Sequence, residues 1–187
     1  MKYKNMLGAS PTHVVMGIVL WGFITPWAVA GPEQDNEQAE KEFARGDLVV
    51  SLALWTKAAQ QGYAPAQVRL GDILDKAEED ELAADWYRKA AVQGNHDGEY
   101  GLGQMYAKGE GVKKDLEQAR THILRAADKG NLSAVTVMMM AYRTGDLGLA
   151  VDPAQADAWE AKLISISPSY KKDSVKGEVK VKKVEVK

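Results

Sequence analysis

Residues 97–130 read DGEYGLGQMYAKGEGVKKDLEQARTHILRAADKG. Gly98, Leu102, Gly103 and Tyr106 fall at i, i+4, i+5 and i+8, one face of a helix. Small residues on that face let a neighbouring helix approach closely, with Leu and Tyr filling the space between. Ala119, His122, Ile123, Ala126 and Ala127 mark a second stripe at helical spacing. Between the two lies GEGVKKD, where Gly109 and Gly111 suit a turn. Asp115 stands three residues before Gln118, the pattern of a capping box, and a cap of this kind is worth ~1 kcal/mol. Gly130 can take the left-handed conformation that stops a helix. The stretch predicts helix A, loop, helix B, turn.

The same unit recurs on both sides. Upstream stand APAQVRLGDIL from Ala64 and AADWYRKAAVQG from Ala83; downstream stand LSAVTVMMMAY from Leu132 and AQADAWEAKLI from Ala154. Gly62, Gly94 and Gly130 close successive units 32 and then 36 residues apart, and Leu70, Leu102 and Met138 keep the same steps. The B-helix stripe reappears as Ala83, Trp86, Tyr87, Ala90 and Ala91, then as Ala156, Trp159 and Leu163. Asp152 with Pro153 and Gln155 repeats the capping signal of Asp115. With that key a degenerate first unit emerges. Asp47 leads into Ser51, Leu54, Trp55, Ala58 and Ala59, preceded by a polar helix from Asn36 to Ala44. A period of 32–36 residues, each with two helical patterns, predicts an all-α, α/α superhelical solenoid of about four helix-turn-helix repeats. The units run over about 36–63, 64–95, 96–131 and 132–167, with 31–35 as a linker. They differ mainly in the A-to-B loop: KAEEDE in the second unit makes it four residues shorter than the third, and GDLGLAVD makes the fourth one longer.

These residues resemble the Sel-like repeats, relatives of the tetratricopeptide repeats. The family pattern combines A-x3-L-G-x2-Y-x2-G-x-G-V with a later A-x2-W-Y-x-K-A-A-x2-G. The third unit is similar at Leu102, Gly103, Tyr106, Gly109, Gly111, Val112, Asp115, Ala119, Ala126, Ala127 and Gly130, with His122 and Ile123 in place of the aromatic pair. The second supplies Trp86, Tyr87, Lys89, Ala90, Ala91 and Gly94 but lacks the Gly-x-Gly-Val loop, and the fourth departs furthest, with Met138-Met139 in place of Leu-Gly. The resemblance implies an adaptor that assembles protein complexes, with no catalytic residues to carry over.

The ends differ from the body. Lys2 and Lys4 are the only charges before Glu33; an apolar run follows from Val14 to Ile24, and Ala28-Val29-Ala30 offers small residues at the positions a signal peptidase reads. Residues 1–30 therefore read as a secretory signal cut between Ala30 and Gly31. The alternative is an uncleaved inner-membrane anchor, and both readings place the body outside the cytoplasm, in the periplasm of a Gram-negative cell. The segment 169–187 is rich in Lys and Val, with seven Lys against three acids, whereas residues 31–168 carry a formal charge of about −8. So acidic a body lacks the basic stripe of a nucleic-acid binder. The tail reads as a solvated segment, as a strand added to a partner's sheet, or as a cationic arm folding back on the body or touching anionic lipid. Membrane contact is otherwise confined to the signal or anchor segment.

Little in the chain points to chemistry. Cysteine is absent, so disulfides, thiolate metal sites and a Cys nucleophile are excluded. His96 and His122 have no second His at ligand spacing, no GxSxG or P-loop is present, and Glu78–Glu81 is a run of acids rather than a calcium loop. Met138 and Met139 align with core positions, leaving Met140 outward. The expected activity is therefore binding without catalysis, metal or cofactor. The partner would be a protein of the cell envelope; the alternative is a binding module for cell-wall glycan or metal. A-helices line the concave wall of such a solenoid. The outward candidates there are Arg69 and Asp72, then Glu99, Gln104 and Met105, then Thr136, Met140 and Arg143.

Overall fold

The computed structural model describes residues 31–170, so the signal or anchor reading of residues 1–30 and the tail from Lys171 lie outside the described residues. Eight α-helices stand in antiparallel pairs: α1 (Pro32–Ala44) with α2 (Leu48–Gln60), α3 (Ala64–Lys76) with α4 (Asp80–Val92), α5 (His96–Lys108) with α6 (Leu116–Asp128), and α7 (Leu132–Thr144) with α8 (Pro153–Ile166). Each pair packs on the next through α2–α3, α4–α5 and α6–α7, with no strand among the described residues. The α/α solenoid of four units is thus the observed architecture. One boundary moves: 31–35 is no linker, because α1 begins at Pro32, four residues before the expected Asn36. Pro at the first helical position needs no donor there, and Asp35 is already buried against Lys57 of α2.

The turns repeat because their hydrogen bonds repeat. Gly62, Gly94 and Gly130 have φ of +88°, +78° and +86°. The following amides of Tyr63, Asn95 and Asn131 donate back to the carbonyls of Ala58, Ala90 and Ala126, which satisfies the end of each B helix. At the loop-to-B boundary the Asp side chains cap as expected: Asp47 Oδ1 accepts from the Val50 amide, Asp115 Oδ1 from Glu117 and Gln118, Asp152 Oδ1 from Gln155. The reciprocal half of the capping box is replaced. The Asp115 and Asp152 amides donate to the carbonyls of Tyr106 and Tyr142 on the preceding A helix, which leaves nothing for Gln118 or Gln155 to satisfy.

Alanine and glycine set the helix separation. Ala58, Ala66, Ala83, Ala90, Ala119, Ala126 and Ala134 are fully buried, and larger residues such as Leu102, Ile123 and Met138 fill the gaps between them. Met138 and Met139 lie in the core as expected, while Met140 is exposed.

The loops also do structural work between units. In the third unit the loop lies on the first turn of α4, so close that a Cβ on Gly111 would stand 2.1 Å from the Asp80 carbonyl oxygen. In the fourth, the Leu147 carbonyl accepts from Arg120 of α6 at 2.6 Å. The second unit has only residues 77–79 between its helices, and the start of α2 stays open: Leu48, Val49, Val50 and Leu52 are 60, 80, 42 and 43 % exposed. The B-helix starts of the second and third units are covered by the loop that follows; that of the first is not.

Candidate functional site

The A helices share one register. Stepping by 32 and 36 residues, Glu40, Asp72, Gln104 and Met140 are equivalent, as are Asn36, Val68, Tyr100 and Thr136. These positions, with their neighbours one turn away, form the concave wall. A groove of about 430 Å³ opens along it, lined by α1, α3, α5 and the start of α7.

At one end Arg69 donates through Nε and Nη2 to both oxygens of Glu40, at 2.7 and 3.0 Å, and its guanidinium lies 5.8 Å from the Trp55 ring centroid. A forked, two-bond geometry of this kind holds an Arg in place as well as neutralising it. Asn36 adds a buried Oδ1 with no hydrogen-bond partner among the described residues. At the centre, the Tyr87 hydroxyl donates to Asp72 Oδ1 at 2.9 Å. The tyrosine reaches the groove from a B helix because Gly71 and Gly101 flank it: a Cβ on either would stand 2.6 Å from its ring. Burial pushes the Asp72 carboxyl above its ordinary pKa; the Tyr87 bond and the Arg69 charge pull the other way, and the Asp97 charge adds to the rise. Burial, with the Asp72 charge next, pushes the Tyr87 phenol far above its usual value, so it stays a donor. Beside them Gln104 donates to the Tyr100 hydroxyl at 2.9 Å. At the far end Asn131 caps α7 through the Ala134 amide and donates to Asp97 Oδ1 at 2.7 Å. The wall carries three carboxylates, Glu40, Asp72 and Asp97, against one guanidinium.

Of the residues expected here, Arg69, Asp72 and Gln104 line the groove. Thr136 and Met140 continue the same stripe on α7, half-buried and exposed respectively. Two expectations fail, and a third residue, though exposed, stands outside the groove lining. Glu99 is buried, 5 % exposed, because its register position faces the B helix: its Oε2 meets His122 Nδ1 at 2.6 Å, and Tyr106 stacks on the imidazole at 5.6 Å. The equivalent positions are also buried and polar, with Asp35 against Lys57 and Gln67 donating to the Ala59 carbonyl. Met105 is core, 1 % exposed, on the side turned toward α3 and α4. Arg143 lies past the stripe and pairs with Glu160 of α8. For the cleavage reading, Gly31 is the N-cap of α1, and Ala28 and Ala30 lie outside the described residues. Asp97, Tyr100, Asn131, Asn36, Glu40 and Tyr87 were missed; stepping the Asp72 register back and forth by 32 residues finds Glu40 and points to Tyr100 and Asp97 one and two turns before Gln104. Among the described residues no three His, Asp or Glu side chains converge as a metal site.

The Sel1 repeat pattern matches residues 44–63, 64–95 and 96–131, the last three helices of the first two units and the whole third unit. The protein sel-1 homolog 2 of Mus musculus is 34% identical over 116 residues, covering 57% of this chain and 17% of its own length. Chitin synthase regulatory factor 3 of Schizosaccharomyces pombe is 34% identical over 113 residues, covering 57% of this chain and 12% of its own. The chain thus spans less than a fifth of the length of these curated relatives. Among solved structures, a protective antigen of uropathogenic Escherichia coli strains displaying an SLR fold superposes with a TM-score of 0.65 at 31% identity, over 73% of this chain and 31% of that one. A Sel1 repeat protein from Oxalobacter formigenes gives 0.63 at 28% identity, over 73% and 41%. Sel1 repeat proteins are in general scaffolds for protein–protein interaction. The second and third matched repeats coincide with helical pairs and the first with α2, the fourth pair adds a further antiparallel unit, and the chain belongs to the Sel1 repeat family.

Proposed function

We propose that this protein is an exported, non-enzymatic scaffold of the cell envelope that holds an extended segment of a partner protein along its concave groove. The observation that carries the reading is the uninterrupted stripe from Asn36 to Met140. It crosses all four units and presents the hydrogen-bonding side chains of Asp72, Tyr100 and Gln104 at its centre, while Ala66, Gln67, Leu70, Leu102 and Met105 on the other sides of α3 and α5 are packed. Asp72 with Tyr87, Tyr100 with Gln104, and Asp97 with Asn131 are held in pairs by hydrogen bonds to one another, so little side-chain entropy remains to be lost on binding. Export is supported by Lys2, Lys4, the Val14–Ile24 run and Ala28-Val29-Ala30.

Capture from an envelope extract tests the groove. Arg69→Glu and Asp72→Arg are expected to release at least one protein that the native chain retains, without loss of helical signal; if both variants hold every captured protein, the groove is not the binding face. Mass measurement of the protein isolated from cells tests export: a chain starting at Gly31 supports a cleaved signal, a chain retaining residues 1–30 in the membrane supports the anchor, and a cytosolic chain removes both.

A further inference from the structure

We propose that the groove is occupied, in the absence of a partner, by the protein's own tail, with Lys180, Lys182 and Lys183 against Asp72 and Asp97. This rests on reading the concave groove as the binding face.

Three observations converge. The first is charge. Among the described residues no Lys or Arg bonds directly to Asp72 or Asp97, though His96 Nδ1 stands 3.0 Å from Asp97 Oδ1; the one groove cation, Arg69, is taken by both oxygens of Glu40. Burial disfavours the ionised form of Asp72, and the Tyr87 bond with the nearby Arg69 and Lys76 charges offsets only part of it, so an added cation relieves the remaining cost. Residues 171–187 carry seven Lys against three acids, opposite in sign to the groove.

The second is where the chain goes. The B-helix residue Ala156 follows its equivalent Ala119 by 37 residues, and the same step carries the groove residue Ser133 to Tyr170. The backbone turns helical again at Ser169, and the Tyr170 ring packs on the cluster around Met139 of α7. The chain therefore leaves the described structure at the position of a fifth A helix, on the concave side.

The third is reach. From that position α5 is two helix spacings away and α3 three, roughly 16–30 Å at 8–10 Å per spacing. The ten to thirteen residues between Tyr170 and Lys180–Lys183 span up to roughly 33–43 Å when extended. Extended chain alternates its side chains. In EVKVKK that sets Lys180 and Lys182 on one face and Val179 and Val181 on the other, where Pro65 and Val68 offer the groove's apolar surface. A tether of this length keeps the tail at an effective concentration of order millimolar, enough for weak contacts to fill the site.

Carbodiimide, which joins an amine to a carboxylate in contact, tests this on the full chain. An equal mixture of unlabelled and ¹⁵N-labelled protein is treated, digested and weighed. Links from Lys180, Lys182 or Lys183 to Asp72 or Asp97, within one isotope, are expected, and Asp72→Asn with Asp97→Asn should remove them. A labelled peptide of residues 176–187 should then bind the Lys180→Glu, Lys182→Glu, Lys183→Glu chain at least about tenfold more tightly than the native one, whose own tail blocks the site. Tail links scattered over convex acids such as Glu81 and Glu117, no tail links, mixed-isotope links reporting a second copy's tail, or equal peptide affinity would each overturn the proposal. Capture that still depends on Arg69 and Asp72 while these results fail would sink the tail alone; capture indifferent to both would sink the groove reading itself.

Discussion

At Asp72, burial raises the carboxyl pKa, outweighing the Tyr87 hydrogen bond and the Arg69 charge. The folded-state value lies above the unfolded one. The group therefore contributes its stability in the protonated form, below the unfolded pKa, and that contribution is lost as pH rises through the folded value. Asp72→Asn keeps an acceptor for Tyr87 and removes the charge, so its melting temperature at pH 7 should exceed that of the native chain in about 0.5 M salt, which screens contacts with the tail. The gain should close as pH falls to about 3.5, near the ordinary Asp pKa, where the native carboxyl is neutral too. A native chain more stable than the variant at pH 7 would put the Tyr87–Asp72 bond ahead of burial. Glu99 and His122 face each other inside the third unit, with side chains 6 and 13 % exposed. His122→Ala leaves the carboxylate buried and unpaired and should cost about 3 kcal/mol in urea unfolding, whereas His122→Leu with Glu99→Met should recover most of it. Glu99 looked like a groove residue in the sequence because a helix with polar residues on two sides does not say which side meets solvent.

At the scale of the element, each helix carries its own start and stop, and these were legible because they are local. Asp47, Asp115 and Asp152 cap the helices they precede, and the three turn glycines end the helices they follow. The loops were legible only in length. Gly62 and Gly111 both have positive φ, +88° and +61°, yet only Gly111 faces backbone, with Asp80 in the way of a Cβ, while nothing lies within 4 Å of one at Gly62. Gly62→Ala should therefore cost roughly 1–2 kcal/mol, the backbone penalty alone. Gly111→Ala must also move the loop off α4 and should cost at least about 1 kcal/mol more, read as a larger drop in the urea midpoint. Equal losses would show that the loop is free to shift.

Across the whole molecule, stacking is what stabilises the units, since a single helix pair has too little apolar face to bury alone. The exception is the start of α2, where a short loop in the next unit leaves Leu48, Val49, Val50 and Leu52 uncovered. Val49→Lys should change unfolding free energy by less than about 0.5 kcal/mol, because that side chain stays 80 % exposed in the fold; a larger loss would mean that another part of the chain covers it. Residue identities alone determined the repeat, the helix ends other than the start of α1, the four-unit count and the loop lengths. Each depends on spacing within one unit, and spacing is written along the chain. Only the tertiary structure decided which polar side chains are free. An A helix is enclosed by its own B helix and by both neighbouring units, so the solvent-facing stripe is narrow. Asp97, Tyr100 and Gln104 fall on it; Glu99 and Met105, one or two residues away, fall inside. The convergence of Glu40, Asp72, Tyr87 and Asn131 on one groove joins residues from three units, and their proximity arises from the curvature of the stack, which no single repeat encodes.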